Sequence, residues 1–327
     1  MWKFNYKSII KIWLGTLFMG GLAACNSDQD VFGPEAEGPS EPSAPVSYYR
    51  PKTSTSKANF SQVYEYMPAP GQFINELKTG GFDSTHTTQT AANLYAQDRL
   101  EKNIWVSLGG FGGYIVLGFD HSIDNMGGYD FAIVGNSFNN SSEPGIVWVM
   151  QDENGDGLPN DTWYELRGSE TGKETTIQNY AVTYYRPDSI QSPVKWTDSE
   201  GNSGEIDYLK AYHNQDYYYP LWVESDTYTL VGTRLEPKNY DQSGKGTYWV
   251  LPTYDWGYVD NFSSIDRVND KSVDNRFRIS DAMDQNGKAV WLEYIDFVKV
   301  QTGINSKSGW LGEVSTEVVG AYDINAN

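Results

Sequence analysis

The chain has 327 residues, with 24 Lys and Arg against 43 Asp and Glu, and a formal net charge of −19. That acidity argues against a nucleic-acid-binding surface and against docking on anionic lipid through a basic face, since both need excess positive charge. A single cysteine excludes a disulfide framework.

The first 24 residues read as a leader. Lys3, Lys7 and Lys11 form a basic start, and Ile12 to Leu22 is an apolar run too short to span a bilayer comfortably. Leu22-Ala23-Ala24-Cys25 follows and resembles the lipobox of bacterial lipoproteins, which predicts cleavage before Cys25 and lipidation of its thiol. The acidic residues just behind it, Asp28 and Asp30, resemble the surface-export signal of lipoproteins from gut-type Gram-negative bacteria. The expected address is therefore the outer membrane, on its outer face. Removing the leader leaves 21 Lys and Arg against 43 Asp and Glu, a net charge of −22. Residues 25–58 are expected to be a lipidated, disordered tether, because Gly33 to Pro45 is rich in Pro, Glu and Ser with almost nothing to bury.

Residues 59–327 are expected to form one large domain. Val63 to Ile74 reads as an extended segment and a turn, and Thr90 to Leu100 as a short helix capped by Thr90. Strand patterns then recur over 105–108, 114–119, 129–136, 146–150, 180–185, 207–211, 228–232, 248–251, 276–279, 289–291 and 296–300, separated by turn residues. Four glycines fall within 109–113, but a strand follows instead of a helix with Lys-Ser/Thr, so a phosphate loop is not expected. The reading is all-β: an antiparallel β-sandwich of the jelly-roll kind, with one or two short helices.

Between the strand at 146–150 and an aromatic strand at 163–166 lies Asp152-Glu153-Asn154-Gly155-Asp156-Gly157. It carries oxygens at positions one, three and five and glycine at six, the first half of an EF-hand loop. Position twelve is Trp163 where the EF-hand has Glu, and Pro159 with a following strand argues against an exiting helix. The expectation is a hairpin loop holding a structural Ca²⁺ through Asp152, Asn154, Asp156, the Leu158 carbonyl and Asp161. A metal-free polar turn has the same composition.

Catalytic signatures are weak. His86, His121 and His213 are far apart without zinc-site spacing, and no Gly-x-Ser-x-Gly elbow occurs. A glycosidase needs two facing carboxylates, and no spacing among the 43 acids singles out a pair. Binding is better supported. The 24 tyrosines and 11 tryptophans supply amphipathic rings that suit stacking on flat ligands. Tyr218, Tyr254, Trp256 and Tyr258 lie among turn residues and are candidates for a surface platform, although strand neighbours alternate toward a core.

Several blocks together resemble the galactose-binding-like jelly roll. They are Val106 to Gly110, Gly118-Phe119-Asp120, Asp130 to Asn136, Val147 to Asp152 and Ile295 to Val300. Roughly residues 60–325 also resemble the "cell surface protein" lipoproteins of gut commensal bacteria. The shared blocks are Pro68 to Phe73, Ser142 to Val147, Gly157 to Glu165 and Tyr254 to Tyr258. That resemblance implies a non-enzymatic binding protein for outer-membrane nutrient uptake, with cobalamin or another corrinoid as first ligand and a TonB-dependent transporter as partner. A carbohydrate-binding or glycan-processing lipoprotein and an adhesive module are the competing expectations.

Overall fold

The computed structural model describes residues 47–77 and 86–326. Cys25, the leader and most of the tether lie outside them. In chain order the elements are β1 (Gln62–Met67), α1 (Gln89–Glu101), β2 (Val106–Ser107), β3 (Tyr114–Asp124), β4 (Phe131–Val134), β5 (Gly145–Met150) and β6 (Tyr164–Leu166). Next come β7 (Ile177–Tyr185), β8 (Val194–Asp198), β9 (Ser203–Ile206), β10 (Thr227–Arg234), β11 (Tyr240–Asp241) and β12 (Trp249–Val250). The last are β13 (Asp274–Phe277), β14 (Ala282–Met283), β15 (Tyr294–Thr302), β16 (Glu317–Val318) and β17 (Gly320–Asp323).

The chain is an all-β sandwich built from antiparallel sheets. A six-stranded sheet has the order β1-β3-β15-β5-β6-β14, and a three-stranded one β13-β4-β17. Between them lies the main core, where Ile115, Leu117, Val147, Val149, Val298 and Val300 pack with Phe131, Ile133 and Phe277. Alternation along each strand puts these residues on one face. A four-stranded sheet, β10-β7-β8-β9, closes a second core around Phe111, Tyr180, Tyr184, Tyr218 and Tyr219. Strand β15 sits mid-sheet and is buried on both faces. Its Lys299 points away from the main core, with its ammonium over the rings of Trp148 and Trp163.

The expected helix is present two residues earlier than its assigned cap: the Thr88 hydroxyl accepts the Ala91 N–H. Its Asn93 and Gln97 carbonyl oxygens accept the N–H groups of Tyr66 and Val63. The helix thus satisfies an edge strand that would otherwise expose unpaired donors. Two expected strands are absent. At 207–211 the Leu209 carbonyl accepts the N–H groups of both Tyr212 and His213, which makes a turn. At 289–291 there is one bridge, Met283 with Ala289. Strands β8 and β9 were not anticipated, because Lys195, Ser203 and Glu205 break the apolar pattern with exposed polar positions.

Residues 47–58, expected within the tether, pack on the domain. Their anchor is Arg50, whose Nε and Nη2 donate to Asp296 Oδ1 at 3.2 and 2.9 Å while Nη1 donates to the Phe119 carbonyl. Asp296 is fully buried at a register shift in β15, so its carboxylate needs compensation. It also accepts the Ser122 hydroxyl at 2.6 Å and the Asp152 N–H at 2.8 Å. Losing one partner of a buried pair costs about 3–5 kcal/mol. Arg50 is a third exposed, so water solvates part of the loss. Arg50→Ala is expected to destabilise the domain by about 2 kcal/mol in urea titration, and an unchanged midpoint would show that the strap does not hold Asp296.

Candidate functional site

Four of the residues singled out for ligand binding fall in different places. Tyr218, Tyr254 and Tyr258 are buried, which corrects the expectation of a surface platform. Their hydroxyls explain the burial. Tyr218 donates to the His213 carbonyl, Tyr254 to the Glu236 carbonyl, and Tyr258 accepts the Glu170 N–H. A buried Tyr needs such a partner, and turn backbones supply it. Trp256 alone is half-exposed, and it lines a small cavity with Arg167 and Ile265.

The structure gathers a different set of residues. A cleft of about 290 Å³ lies where the β4–β5 connection, the approach to β16 and the segments after β1 and β9 meet. Phe138, Tyr212 and Trp310 stand exposed at its rim. Tyr212 and Trp310 lie 6.1 Å apart, tilted, and Phe73 makes edge contacts with both Trp105 and His213. His213 Nδ1 is 2.6 Å from Glu76 Oε1. In the wall are Glu143, Glu313 and Glu317, and the Asp260 carboxylate lies close to those of Glu143 and Glu317.

Asp260, Glu143 and Glu313 are placed by backbone donors and Glu317 by a hydroxyl. Asp260, fully buried, accepts the Asn136 N–H at 2.8 Å on Oδ1 and the Glu317 N–H at 2.9 Å on Oδ2. Its residue is in the left-handed region, at φ 55°, and a Cβ at Gly135 would come within 2.7 Å of its Cα. Glu143 Oε1 accepts the Ser315 N–H, and the Ser315 hydroxyl donates to Glu317 Oε1 at 2.8 Å. Glu313 Oε1 accepts the Gln72 N–H at 2.8 Å.

Burial raises all four acids. Desolvation, reinforced by the neighbouring Asp260 charge, pushes Glu143 to about 8. Asp260 rises to about 7 and Glu313 to about 8 through desolvation, opposed by their backbone donors. Glu317 goes well above the usual range through desolvation and then the charges of Glu143 and Asp260. The arrangement suits holding a cation, or donating hydrogen bonds to a polar ligand beside stacked rings. A larger, more open groove of about 1410 Å³ runs over β7, β8 and β9 past Tyr185 and Trp196, without such a cluster.

In the 152–161 loop, Gly157 adopts φ 74°, as the sharp turn requires. Asp152 accepts the N–H groups of Gly155 and Gly157, Asn154 that of Asp156, Asp156 that of Leu158, and Asp161 that of Glu153. The Leu158 carbonyl accepts the Asn160 N–H. Coordination of a cation would draw on the remaining lone pairs.

No protein-family model matches this chain, and no curated protein matches it. The acids of the cleft were missed as a group in the sequence. The available signals were the blocks Ser142 to Val147, which contains Glu143, and Tyr254 to Tyr258, which ends just before Asp260.

Two predictions follow from these placements. The acids release their protons on unfolding at ordinary carboxylate values and keep them when folded up to about 7–8. The folded state therefore binds more protons in that window, and stability falls as pH rises through it. Asp120 and Asp198, with lowered values, act below the window and do not offset the fall. In chelator-treated protein the melting temperature is expected to drop from about pH 5 to about pH 8, and Glu313→Gln to flatten the slope. A rising profile contradicts the cluster. Under the same conditions Asp152→Ala is expected to cost about 2–3 kcal/mol by denaturant titration, since it strips two N–H groups of their acceptor. Asp156→Ala, at an exposed carboxylate, should cost less; the reverse order would refute the assigned roles.

Proposed function

We propose that this chain is a lipid-anchored surface protein that binds a small-molecule nutrient, without turning it over, and passes it to an outer-membrane transporter of the TonB-dependent kind. Cys25 would carry the anchor. The observation that carries the binding reading is the cleft itself: exposed Phe138, Tyr212 and Trp310 around a wall of half-buried Glu143 and buried Glu313 and Glu317. Rings left open to water beside fixed polar groups are the usual makeup of a small-molecule site. The carboxylates are fixed by main-chain donors and by the Ser315 hydroxyl, which pre-orients them toward a ligand; the non-enzymatic part of the reading rests on the resemblance. The 152–161 loop, with Asp152, Asn154, Asp156, Leu158 and Asp161, is in this reading a structural Ca²⁺ hairpin.

Cobalamin is the first ligand to test, on the resemblance to uptake lipoproteins. A cavity of about 290 Å³ takes one edge of a corrinoid and leaves the rest of the macrocycle outside. A glycan is the second reading, favoured by the exposed Trp310 and Tyr212 rings flanked by acids, because a sugar face stacks on such rings while its hydroxyls bond carboxylates.

Isothermal titration of the protein with cobalamin and with a glycan panel is expected to give binding to one of them. Trp310→Ala should weaken it by about tenfold or more, as loss of a central aromatic anchor does. Trp196→Ala, in the open groove, should leave it unchanged. Silence across both panels would sink the binding reading, and loss only in Trp196→Ala would move the site to the groove.

A further inference from the structure

Glu143, Asp260 and Glu317 each place one carboxylate oxygen within 4.8 Å of the others. Oxygens around a calcium ion, each about 2.3–2.6 Å from it, stand at up to about 5 Å from one another. Among the described residues, no Lys, Arg or His forms a salt bridge with any of the three, whereas Asp296 and Glu170 have Arg50 and two lysines. Three acids so close in a buried setting repel one another unless a cation or protons intervene.

Two unpartnered oxygens point to a cation. Glu313 is only 3% exposed and lines the same cavity as Glu143 and Glu317. Its Oε1 is tied to the Gln72 N–H, while Oε2 has no hydrogen-bond partner. The Ser137 hydroxyl, on a residue 2% exposed and next in sequence to Asn136, whose N–H bonds Asp260, also has none. A buried polar atom without a partner costs about 1–3 kcal/mol, which coordination or a metal-bound water removes. We propose that Glu143, Asp260 and Glu317 form a divalent-cation site of the calcium class in the wall of the cleft. The donor set is all oxygen, which selects hard cations. Carboxylates brought together from three separate segments suit calcium, which accepts six to eight ligands flexibly, better than octahedral magnesium. The adjoining cavity leaves room for water or ligand oxygens on the open side. This site is separate from the 152–161 loop and independent of the nutrient reading.

The test is calcium uptake by the chelator-stripped full chain in equilibrium dialysis. The expected result is binding that Glu317→Gln and Glu143→Gln each weaken by at least about tenfold, while Asp156→Asn leaves that component in place. Asp260→Asn removes an acceptor of backbone N–H groups and can unfold the protein, so the two Glu variants carry the test, with near-ultraviolet circular dichroism as the folding check. Their melting temperatures in chelator should equal or exceed that of the unsubstituted protein, because repulsion is relieved, and should no longer rise with calcium. No uptake by the unsubstituted chain overturns the proposal. So does uptake that both Glu variants retain, or that Asp156→Asn alone abolishes.

Discussion

The carboxylate of Asp260 is the constraint on which the site depends. A fully buried acid is stable only where donors are already fixed around it. Here they come from Asn136 just past β4 and from Glu317 in β16. The backbone of the same residue accepts the Glu143 N–H, and its neighbour Val259 pairs with Gly145 at the start of β5. One residue thus joins the three-stranded sheet, the six-stranded sheet and the short β2–β16 ribbon at the point where their ends converge. Its left-handed backbone and the absent side chain at Gly135 are what let it approach so closely.

Asp296 solves the same problem differently. It too is fully buried, yet it has Arg50 as a counter-charge and acts as a rivet between the strap, β3 and the 152–161 loop. Set side by side, the two acids show two ways of burying a carboxylate. The rivet is neutralised within the chain. The cleft acids have no such ion-pair partner among the described residues, and burial raises their proton affinity so that protons neutralise them up to about pH 7–8.

Much of the architecture was legible in the sequence, because alternation and turn residues are local signals. The longer strands of the main core, the helix and the aromatic hairpin after Met150 follow from neighbours within a few residues, whereas the short β14, β16 and β17 that complete that core were not expected. The site does not. Ser315, whose N–H holds Glu143, lies 172 residues away from it, and Asp260 reaches Glu317 across 57. No spacing rule links such partners, so 43 acids looked interchangeable. The tyrosines misled for a related reason: a ring beside Pro, Gly and Asp reads as a loop platform, but the same turn backbone offers the carbonyl that a buried hydroxyl needs.

That second point changes what the high tyrosine content means. Tyr66 donates to the Ser107 carbonyl, Tyr184 to Phe111, Tyr219 to Ser225, Tyr228 to Pro68 and Tyr254 to Glu236. In each case the ring packs into a core while the hydroxyl ties down a backbone carbonyl, most of them outside the regular strands. Tyrosine serves here where disulfides are unavailable, fastening loops onto sheets by combining apolar area with one directed bond. Once those rings are assigned, the exposed aromatic residues that remain include Tyr185, Tyr240, Tyr248 and Trp291 as well as those of the cleft. Phe138, Tyr212 and Trp310 are part of that remainder, and they converge on the same acids. Folding uses the buried tyrosines and leaves these rings exposed beside the buried Glu313 and Glu317, a pairing of open rings with fixed polar groups.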